Sequence, residues 1–338
     1  MRAAVIPRHG APDVFRIEER PVPEPGPGEV LIRVRAAGVN FADVLGRMGL
    51  YPDAPKLPYV PGYEVAGIVE RAGVEAAGVA VGARVIAITA FNGYSEYITA
   101  PAWRVFPTPS SLSDIEAAGV AVTYLTAAIA LHRMANVGPG ETVLIHNAGG
   151  GVGIAAAQLA TLRRARLIGT ASIAKHAALT QFGFEHLIDY RTADVVADVK
   201  SLTGGRGVDV VLDPLGGDSF VDSYRLLAPL GRLVMFGVSS IAPSRTRDYV
   251  TIVRTLWTMP RFKAFSLINT NRGVFGLNVG HLWDARDQLA PLVKMLMQEF
   301  EGGRLKPLVA QTFPLERAAD AHAYLQSRQN IGKVVLTM

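Results

Sequence analysis

The chain has 338 residues, 49% hydrophobic and 19% charged, which is enough for two domains with apolar cores. It contains no cysteine, and this excludes disulfides and thiolate metal ligands. The net charge of +5 comes from scattered basic residues, which argues against a nucleic-acid-binding surface and suits an anionic ligand such as a dinucleotide. We expect a cytoplasmic protein, because the N-terminus has no signal-peptide pattern and the longest apolar run, Ala117–Leu131, is shorter than the ~20 residues of a membrane span.

Short strand patterns dominate the first 110 or so residues. Glu29–Ala37 alternates apolar and polar residues, which is typical of a half-buried strand. A proline- and glycine-rich run at 21–28 precedes it and is typical of a surface connection. Further strands are predicted over Arg2–Ile6, Tyr59–Ala72, Ala83–Ile88 and Ser95–Thr99. The pattern predicts a β-rich, barrel-like domain.

The pattern changes at Ser113, which with Glu116 has the spacing of a helix capping box and precedes a long alanine-rich helical stretch. After residue 140 strands and helices alternate, which predicts a parallel sheet covered on both faces. Strands are predicted over Thr142–His146, Arg166–Thr170, Leu187–Ile188, Val208–Asp213, Arg232–Gly237, Val274–Asn278 and Lys333–Thr337, and helices over Val152–Leu162, Lys175–Phe182 and about Asp287–Glu301.

The strongest local signal is a glycine-rich turn between a predicted strand and a predicted helix. It fits A-x-G-x-x-G with Ala148, Gly150 and Gly153, and Gly151 and Val152 lie inside it. Such a turn needs small residues so that the backbone can approach a pyrophosphate, and the free N–H groups of the helix start face the phosphate charge. The context predicts dinucleotide binding by these five residues.

The residues at the end of the second predicted strand of this domain indicate whether the dinucleotide is NADH or NADPH. An NAD site usually has an acidic residue about 20 positions after the glycines, but Leu167–Lys175 contains none. That segment instead offers the hydroxyls of Thr170 and Ser172 and the cation of Lys175, and Tyr190 follows the next strand. Donors and positive charge suit a 2′-phosphate, so NADPH is predicted rather than NADH.

Several ordered motifs resemble the zinc-free medium-chain reductases. They are AAGVNFAD at 36–43, PGYEVAG at 61–67, GGVG at 150–153 and DPLGG at 213–217. The stretches GTAS at 169–172, IDY at 188–190 and GVDVVLDPLGG at 207–217 are most similar to the vesicle amine transport protein branch of the quinone oxidoreductases. The resemblance covers nearly the whole chain.

The resemblance implies an α/β protein of two domains and a homodimer. A GroES-like β-barrel catalytic domain would comprise residues 1–122 and 281–338. A Rossmann domain with a doubly wound parallel sheet would bind NADPH with residues 123–280.

No metal site is expected. Zinc-dependent relatives have a Gly-His-Glu motif and cysteine ligands, whereas this chain has Gly62-Tyr63-Glu64 and no cysteine. Its seven histidines include no pair with the spacing of a metal motif, so we interpret them as surface or packed residues.

Residue by residue, the resemblance places Asn40 and Tyr51 near the nicotinamide as candidate catalytic residues. It adds a group of cofactor contacts outside the glycine turn, comprising Asn40, Thr126, Phe236, Gly237, Arg328, Asn330 and Lys333.

Without a metal to polarise a carbonyl, electrophilic acceptors are expected: quinones or α,β-unsaturated ketones that take a hydride from NADPH. Asn40 and Tyr51 would orient the nicotinamide or donate to the developing oxygen anion. The alternative is an NADPH-binding peripheral membrane or scaffolding protein with little turnover. The aromatic and basic segment Arg245–Asn271 leaves that open, since it is compatible with a substrate lid, a dimer contact or a membrane-surface patch.

Overall fold

A computed structural model describes residues 1–282 and 285–338. The chain forms two units, and unit 1 comprises Met1–Thr123, Ser244–Arg247 and Lys294–Met338. Unit 2 comprises Tyr124–Pro243 and Asp248–Val293. The division at 122/123 and 280/281 into catalytic and cofactor domains stays a prediction, and Trp283 and Asp284 of its last segment lie outside the described residues.

Unit 1 is built on a mainly antiparallel sheet whose central strand, Glu29–Val39, is buried over most of its length rather than half-buried as predicted. The sheet order is β14-β15-β3-β4-β5-β7, and β6 also pairs with β3. The strands of this sheet are β3 (Glu29–Val39), β4 (Glu64–Ala72), β5 (Arg84–Ile88), β6 (Tyr97–Pro101), β7 (Val105–Pro107), β14 (Val309–Pro314) and β15 (Lys333–Thr337), and β1 (Arg2–Val5) and β2 (Arg16–Glu19) form a separate two-stranded sheet. Since β15 pairs antiparallel with β3, the two ends of the sequence build one sheet.

Unit 2 contains a six-stranded parallel sheet of order β10-β9-β8-β11-β12-β13. Its strands are β8 (Thr142–Ile145), β9 (Arg166–Thr170), β10 (Phe184–Ile188), β11 (Val208–Asp213), β12 (Leu227–Met235) and β13 (Gly273–Gly276). Counted from β8, this is the 3-2-1-4-5-6 order of a doubly wound dinucleotide-binding fold, which confirms the predicted α/β class. The carboxyl ends of β8 and β11, where the order reverses, mark the usual ligand edge.

The helices fall between these strands. They are α1 (Phe41–Arg47), α2 (Asp114–Ala117), α3 (Ala121–Ala128), α4 (Gly151–Leu162), α5 (Ile173–Leu179), α6 (Val195–Leu202), α7 (Asp218–Arg225), α8 (Tyr249–Trp257), α9 (Ala264–Thr270), α10 (Arg286–Glu301) and α11 (Ala318–Gln326). Within the described part of the chain, no helix is long and apolar enough to cross a lipid bilayer.

The alanine-rich stretch after Ser113 is not one long helix as predicted. The capping box is confirmed, since the Ser113 Oγ accepts from the Glu116 N–H, but α2 ends at Ala117 and α3 begins only at Ala121. Gly119 lies in the break, and a Cβ there would be 2.9 Å from Cγ of Lys333. The break therefore makes room for a side chain from the far end of the sequence.

The predicted strand Tyr59–Ala72 is also shorter, because β4 begins only at Glu64. Gly62 has a φ of +109°, a conformation that favours glycine, and a Cβ there would lie 2.7 Å from Cα of Gly93. This turn leaves Tyr59 in an isolated bridge with Ile6.

Candidate functional site

The glycine-rich turn of unit 2 has the geometry that its sequence predicts. Gly150 caps the N-terminus of α4, and Ala148 is buried with its N–H donating to the Thr170 carbonyl at 3.0 Å. A Cβ on Gly150 would lie 2.6 Å from Nδ2 of Asn147, and one on Gly153 would lie 2.5 Å from the Asn147 carbonyl oxygen. The clash at Gly153 is with the backbone, so glycine is needed there, and the helix start that follows the turn faces a ligand with its first N–H groups.

Lys175 lies against this turn. It belongs to the first turn of α5 and is only 8% exposed. Its Nζ is 3.5 Å, and its Cδ 2.9 Å, from the point where a Cβ on Gly149 would be. Ser172 caps α5, and Tyr190, 41% exposed, follows β10. The sheet register therefore brings the predicted phosphate-binding residues to the same carboxyl edge as the glycine turn.

A buried chain of hydrogen bonds runs beneath that edge, and the sequence analysis missed it. Thr170 Oγ1 is 3.1 Å from Nδ1 of His146, and Nε2 of His146 is 3.1 Å from the Ser223 hydroxyl. Ser223 donates to Oδ2 of Asp213 at 2.7 Å, as does Ser219. Burial lowers the pKa of His146, so its imidazole is neutral and joins the ends of β8, β9 and β11.

The donor and acceptor order of these hydrogen bonds makes His146 the acceptor for the hydroxyl of Thr170. Ser223 donates to a carboxylate, so its oxygen accepts from Nε2–H of His146, and Nδ1 accepts from Thr170. Thr170 is 2% exposed. Its hydroxyl therefore points to His146, and the contact of Thr170 with a 2′-phosphate stays a prediction. A histidine placed directly after an apolar strand was the available signal.

The other predicted contacts of unit 2 lie on the strand ends or in α3. Phe236 follows β12, half-buried, and its N–H donates to the Asp213 carbonyl at 3.1 Å. A Cβ on Gly237 would lie 2.9 Å from the Pro214 carbonyl oxygen, so the chain needs glycine there. Thr126 is buried in α3.

Unit 1 contains a buried polar cluster formed by Asn40, Glu64 and Lys333. Nζ of Lys333 is 2.5 Å from Oε1 of Glu64 and 2.6 Å from Oδ1 of Asn40. Nδ2 of Asn40 donates to Oε1 of Glu64 at 3.0 Å, and the Val122 N–H donates to the other oxygen of Glu64 at 2.8 Å. Glu64 is fully buried and Lys333 is 5% exposed, so the charges are compensated away from water.

These contacts revise the description of Asn40. Its amide oxygen accepts from Lys333, and its amide nitrogen donates to Glu64 and, at 3.4 Å, to the Gly38 carbonyl. The amide is therefore held in one orientation by its neighbours. Glu64 was noted in the sequence only as part of a lost zinc motif, and no local pattern linked it to a lysine 269 positions away.

Tyr51 and Tyr63 contact each other edge to face, with ring centroids 6.1 Å apart. The ring of Tyr63, which occupies the position of the zinc-ligand histidine, also packs on Phe91 at 4.8 Å. Across residues 1–282 and 285–338, no group of three or more histidine and carboxylate side chains could hold a metal ion. Tyr63 thus contributes to an aromatic cluster.

Two C-terminal predictions lie just before β15. Arg328 is half-buried and has a positive φ of 58°. Asn330 is buried, and its Nδ2 donates to the Gly332 carbonyl at 2.8 Å. Both residues shape the turn that delivers Lys333 to the cluster, and their contacts with a cofactor stay predictions.

Comparison with known families gives two matches. Residues 26–110 match the alcohol dehydrogenase GroES-like domain, and residues 182–336 match the zinc-binding dehydrogenase model. The GroES-like match agrees with the fold predicted for unit 1. The description of the second model stands against a sequence without cysteine.

Similar proteins span almost the whole chain. The rat synaptic vesicle membrane protein VAT-1 homolog is 38% identical over 99% of this chain and 84% of its own length. A 2-haloacrylate reductase of a Burkholderia species is 36% identical over 99% of this chain and 98% of its own. The crystal structure of Escherichia coli quinone oxidoreductase complexed with NADPH has a TM-score of 0.88, 30% sequence identity and complete coverage of both chains.

Proposed function

Because the chain belongs to the zinc-free medium-chain dehydrogenase/reductases, in the quinone-oxidoreductase-like group close to VAT-1, we propose that it is an NADPH-dependent reductase acting on quinones or α,β-unsaturated carbonyl compounds. The observation that carries the proposal is the glycine turn with Lys175 folded against it. The relatives support it, since one is a quinone oxidoreductase solved with NADPH and another reduces a 2-haloacrylate, an α,β-unsaturated carboxylate.

The residues of unit 2 fit the proposed dinucleotide. Gly150 and Gly153 leave open a turn that a Cβ would fill, and the N-terminus of α4 follows it directly. Lys175 places a cation beside the turn, and Leu167–Lys175 has no carboxylate that would repel a 2′-phosphate. NADPH, when bound, supplies the hydride.

The residues of unit 1 would serve the substrate end. In the proposed role Asn40 presents an amide held rigid by Lys333 and Glu64, which lowers the cost of orienting a nicotinamide or carbonyl group. Lys333 and Glu64 would act by fixing this amide and add no net charge, because their charges compensate each other. Tyr51 is half-buried at the edge of the aromatic cluster and remains the proposed hydroxyl donor.

The test is consumption of NADPH, compared with NADH, in the presence of a panel of quinones and enones. We expect turnover with NADPH strongly preferred, and the better acceptor class identifies the substrate. Tight NADPH binding without turnover on any acceptor would contradict the reductase and favour the NADPH-binding scaffold.

A matched pair of variants tests the cofactor site. Lys175→Ala should raise KM for NADPH about tenfold and change KM for NADH less than about twofold, because one charge-assisted contact to the phosphate is lost. Lys200→Ala removes an exposed lysine of α6 in the same unit and should change neither value. If Lys175→Ala raised KM equally for NADPH and NADH, recognition of the 2′-phosphate by this residue would be disproved.

We also propose that unit 2 self-associates through the segment that the sequence left ambiguous. In α8 and α9 several large apolar side chains are exposed, with Trp257 at 87%, Phe265 at 81% and Val250 at 79%. The nearby β13 is the last strand of the described sheet and has no further strand beside it among the described residues. A second copy could pair with this edge and cover the apolar residues, which removes the hazard of an exposed edge strand.

Sedimentation of the purified protein tests this association. We expect a dimer that the double variant Trp257→Glu/Phe265→Glu converts to a monomer, whereas Val74→Glu, at a 70% exposed position of unit 1, leaves the dimer intact. A monomeric wild type that co-sediments with anionic liposomes through Trp257 would instead support the membrane-surface interpretation.

A further inference from the structure

A second buried chain of hydrogen bonds lies in unit 1, and the proposed reaction does not yet use it. It consists of Arg47, His322, Tyr94 and Asp43, each at most 1% exposed. Nε of Arg47 is 3.3 Å from Nδ1 of His322, and Nε2 of His322 is 3.3 Å from the Tyr94 hydroxyl. The Tyr94 hydroxyl is 3.2 Å from Oδ2 of Asp43. The chain joins α1 to α11, which are more than 270 residues apart.

The partners fix the direction of every bond in the chain. A guanidinium has only donors, so Nδ1 of His322 accepts from Arg47. Burial, and secondarily the charge of Arg47, lower the pKa of His322 well below its ordinary value, so the imidazole is neutral and Nε2 carries its proton. The Tyr94 oxygen then accepts from His322, and its own proton is directed to Asp43. The chain therefore runs from a cation to a carboxylate and presents a donor to it.

The carboxylate of Asp43 also accepts hydrogen bonds from the backbone of two turns. Its Oδ2 accepts from the Asn40 N–H at 2.8 Å, and its Oδ1 accepts from the Gly62 N–H at 2.9 Å. Asn40 begins α1 after β3, and Gly62 is the positive-φ turn two residues before Glu64. One carboxylate thus holds the backbone of Asn40 and the turn that leads into Glu64, the two residues that bond to Lys333.

The charge state of Asp43 depends on groups that face it from several elements. Burial raises the pKa of Asp43 to about 7, and the backbone donors, the charge of Lys333 and the Tyr94 hydroxyl oppose that rise. The phenol rings of Tyr59 and Tyr63 also lie in its electrostatic range. Three donors converge on the two oxygens, and they stabilise the ionised form, which acts only as an acceptor.

We propose that Asp43, oriented by the donor chain from Arg47 through His322 and Tyr94, is a positioning residue for the Asn40, Glu64 and Lys333 cluster and must be ionised for turnover. The inference rests on the proposed reductase function. In this role Asp43 acts through the two turns it holds, so its ionisation tightens the geometry of Asn40 and Glu64 without contact to the substrate.

The test compares two buried tyrosines. Tyr94→Phe removes the donor to Asp43, whereas Tyr59→Phe removes a hydroxyl that makes no hydrogen bond in the part of the chain described by the structure. In the wild type kcat should rise with pH near neutrality as Asp43 ionises. Tyr94→Phe should move this limb up by about one pH unit and lower kcat about fivefold near pH 7, with KM for NADPH changed less than about twofold. Tyr59→Phe should keep the wild-type profile.

A second variant pair and a ligand-free measurement separate positioning from simple loss of folding. His322→Gln can still accept from Arg47 and donate to Tyr94, so it should keep most of the wild-type profile, and His322→Leu should behave like Tyr94→Phe. In the ligand-free protein the thermal midpoint should fall as pH rises and then become constant once Asp43 is ionised. Tyr94→Phe should move the pH at which it becomes constant upward, by the same amount as the pH limb of kcat.

The outcomes separate the two proposals. A wild type that binds NADPH but oxidises it with none of the quinones or enones refutes the reductase function and the positioning role that depends on it. An active wild type whose limb is unchanged in Tyr94→Phe refutes the positioning role alone. The positioning role is supported if Tyr94→Phe shifts the pH limb of kcat and the pH dependence of the thermal midpoint by the same amount, and Tyr59→Phe shifts neither.

Discussion

Each unit contains a buried histidine at the centre of a hydrogen-bond chain, but the two chains differ in charge. His146 in unit 2 lies between two hydroxyls, and its chain ends at Asp213. His322 in unit 1 lies between the guanidinium of Arg47 and the Tyr94 hydroxyl. The first chain ties together neighbouring strand ends. The second connects two full charges of α1, Arg47 and Asp43, through His322 and Tyr94, and is therefore the more sensitive to pH and to loss of a partner.

The largest expected effect is on the charged cluster of unit 1. Lys333→Met removes the cation from a fully buried Glu64 and should lower the free energy of unfolding by about 3–5 kcal/mol. The double variant Lys333→Met/Glu64→Gln should recover part of this loss, because no unpaired charge remains. Urea denaturation of both variants measures the difference, and a loss below about 1 kcal/mol in Lys333→Met would show that water reaches Glu64.

The next effect is on the pH dependence of stability. The pKa of Asp43 is raised to about 7 in the folded protein, whereas its ordinary value is 3.8. The folded state therefore holds a proton that the unfolded state has released between about pH 4 and 7, so the contribution of Asp43 to stability falls as pH rises through this window, by up to ~4 kcal/mol. Above about pH 7 both states are ionised and the contribution is constant.

Asp43→Asn should flatten this slope, and thermal unfolding of the ligand-free protein at several pH values measures it. Asp114→Asn, at a partly exposed ion pair with Arg84, is the control and should leave the slope unchanged. A wild-type stability that rises between pH 4 and 7 by the amount that Asp43→Asn abolishes would mean that Asp43 is ionised throughout.

The two histidines provide a direct test of the contrast between the units. His322→Leu leaves the buried Arg47 short of an acceptor and should cost about 3 kcal/mol, whereas His146→Leu leaves two hydroxyls short and should cost about 2 kcal/mol. Chemical denaturation of the two variants compares them. A larger destabilisation in His146→Leu would contradict this prediction, because the neutral hydrogen-bond chain of unit 2 would then contribute more stability than the charged chain of unit 1.

The smallest effect is expected at the glycine turn. Gly153→Ala brings a Cβ within 2.5 Å of the Asn147 carbonyl and should cost about 1–3 kcal/mol, and in the proposed function it should also weaken NADPH binding. Gly138→Ala meets only Oε2 of Glu141 at 3.8 Å and should be close to neutral. Thermal unfolding and NADPH titration of both variants test this. Equal thermal midpoints and equal NADPH affinities for the two variants would show that the turn tolerates a side chain at Gly153.

The local signals of unit 2 were sufficient for its fold. Strands Arg166–Thr170 and Val208–Asp213 and the helix ending at Leu162 agree with the structure, because apolar runs and glycines act over a few residues. The two NADPH-related expectations rest on different findings. A similar structure that holds NADPH supports the cofactor, but the hydroxyl of Thr170 is engaged by His146. Homodimer formation and cytoplasmic location stay predictions.

The sequence by itself determined the two kinds of sheet, the glycine turn and the absence of thiolate ligands, since each follows from periodicity, backbone freedom or composition. Only the tertiary structure decided which polar residues meet. Lys333 reaches Glu64 through the pairing of β15 with β3, and His322 reaches Arg47 through the docking of α11. No local pattern encodes such contacts, because they depend on strand register and on the burial of charges whose partners lie hundreds of residues away.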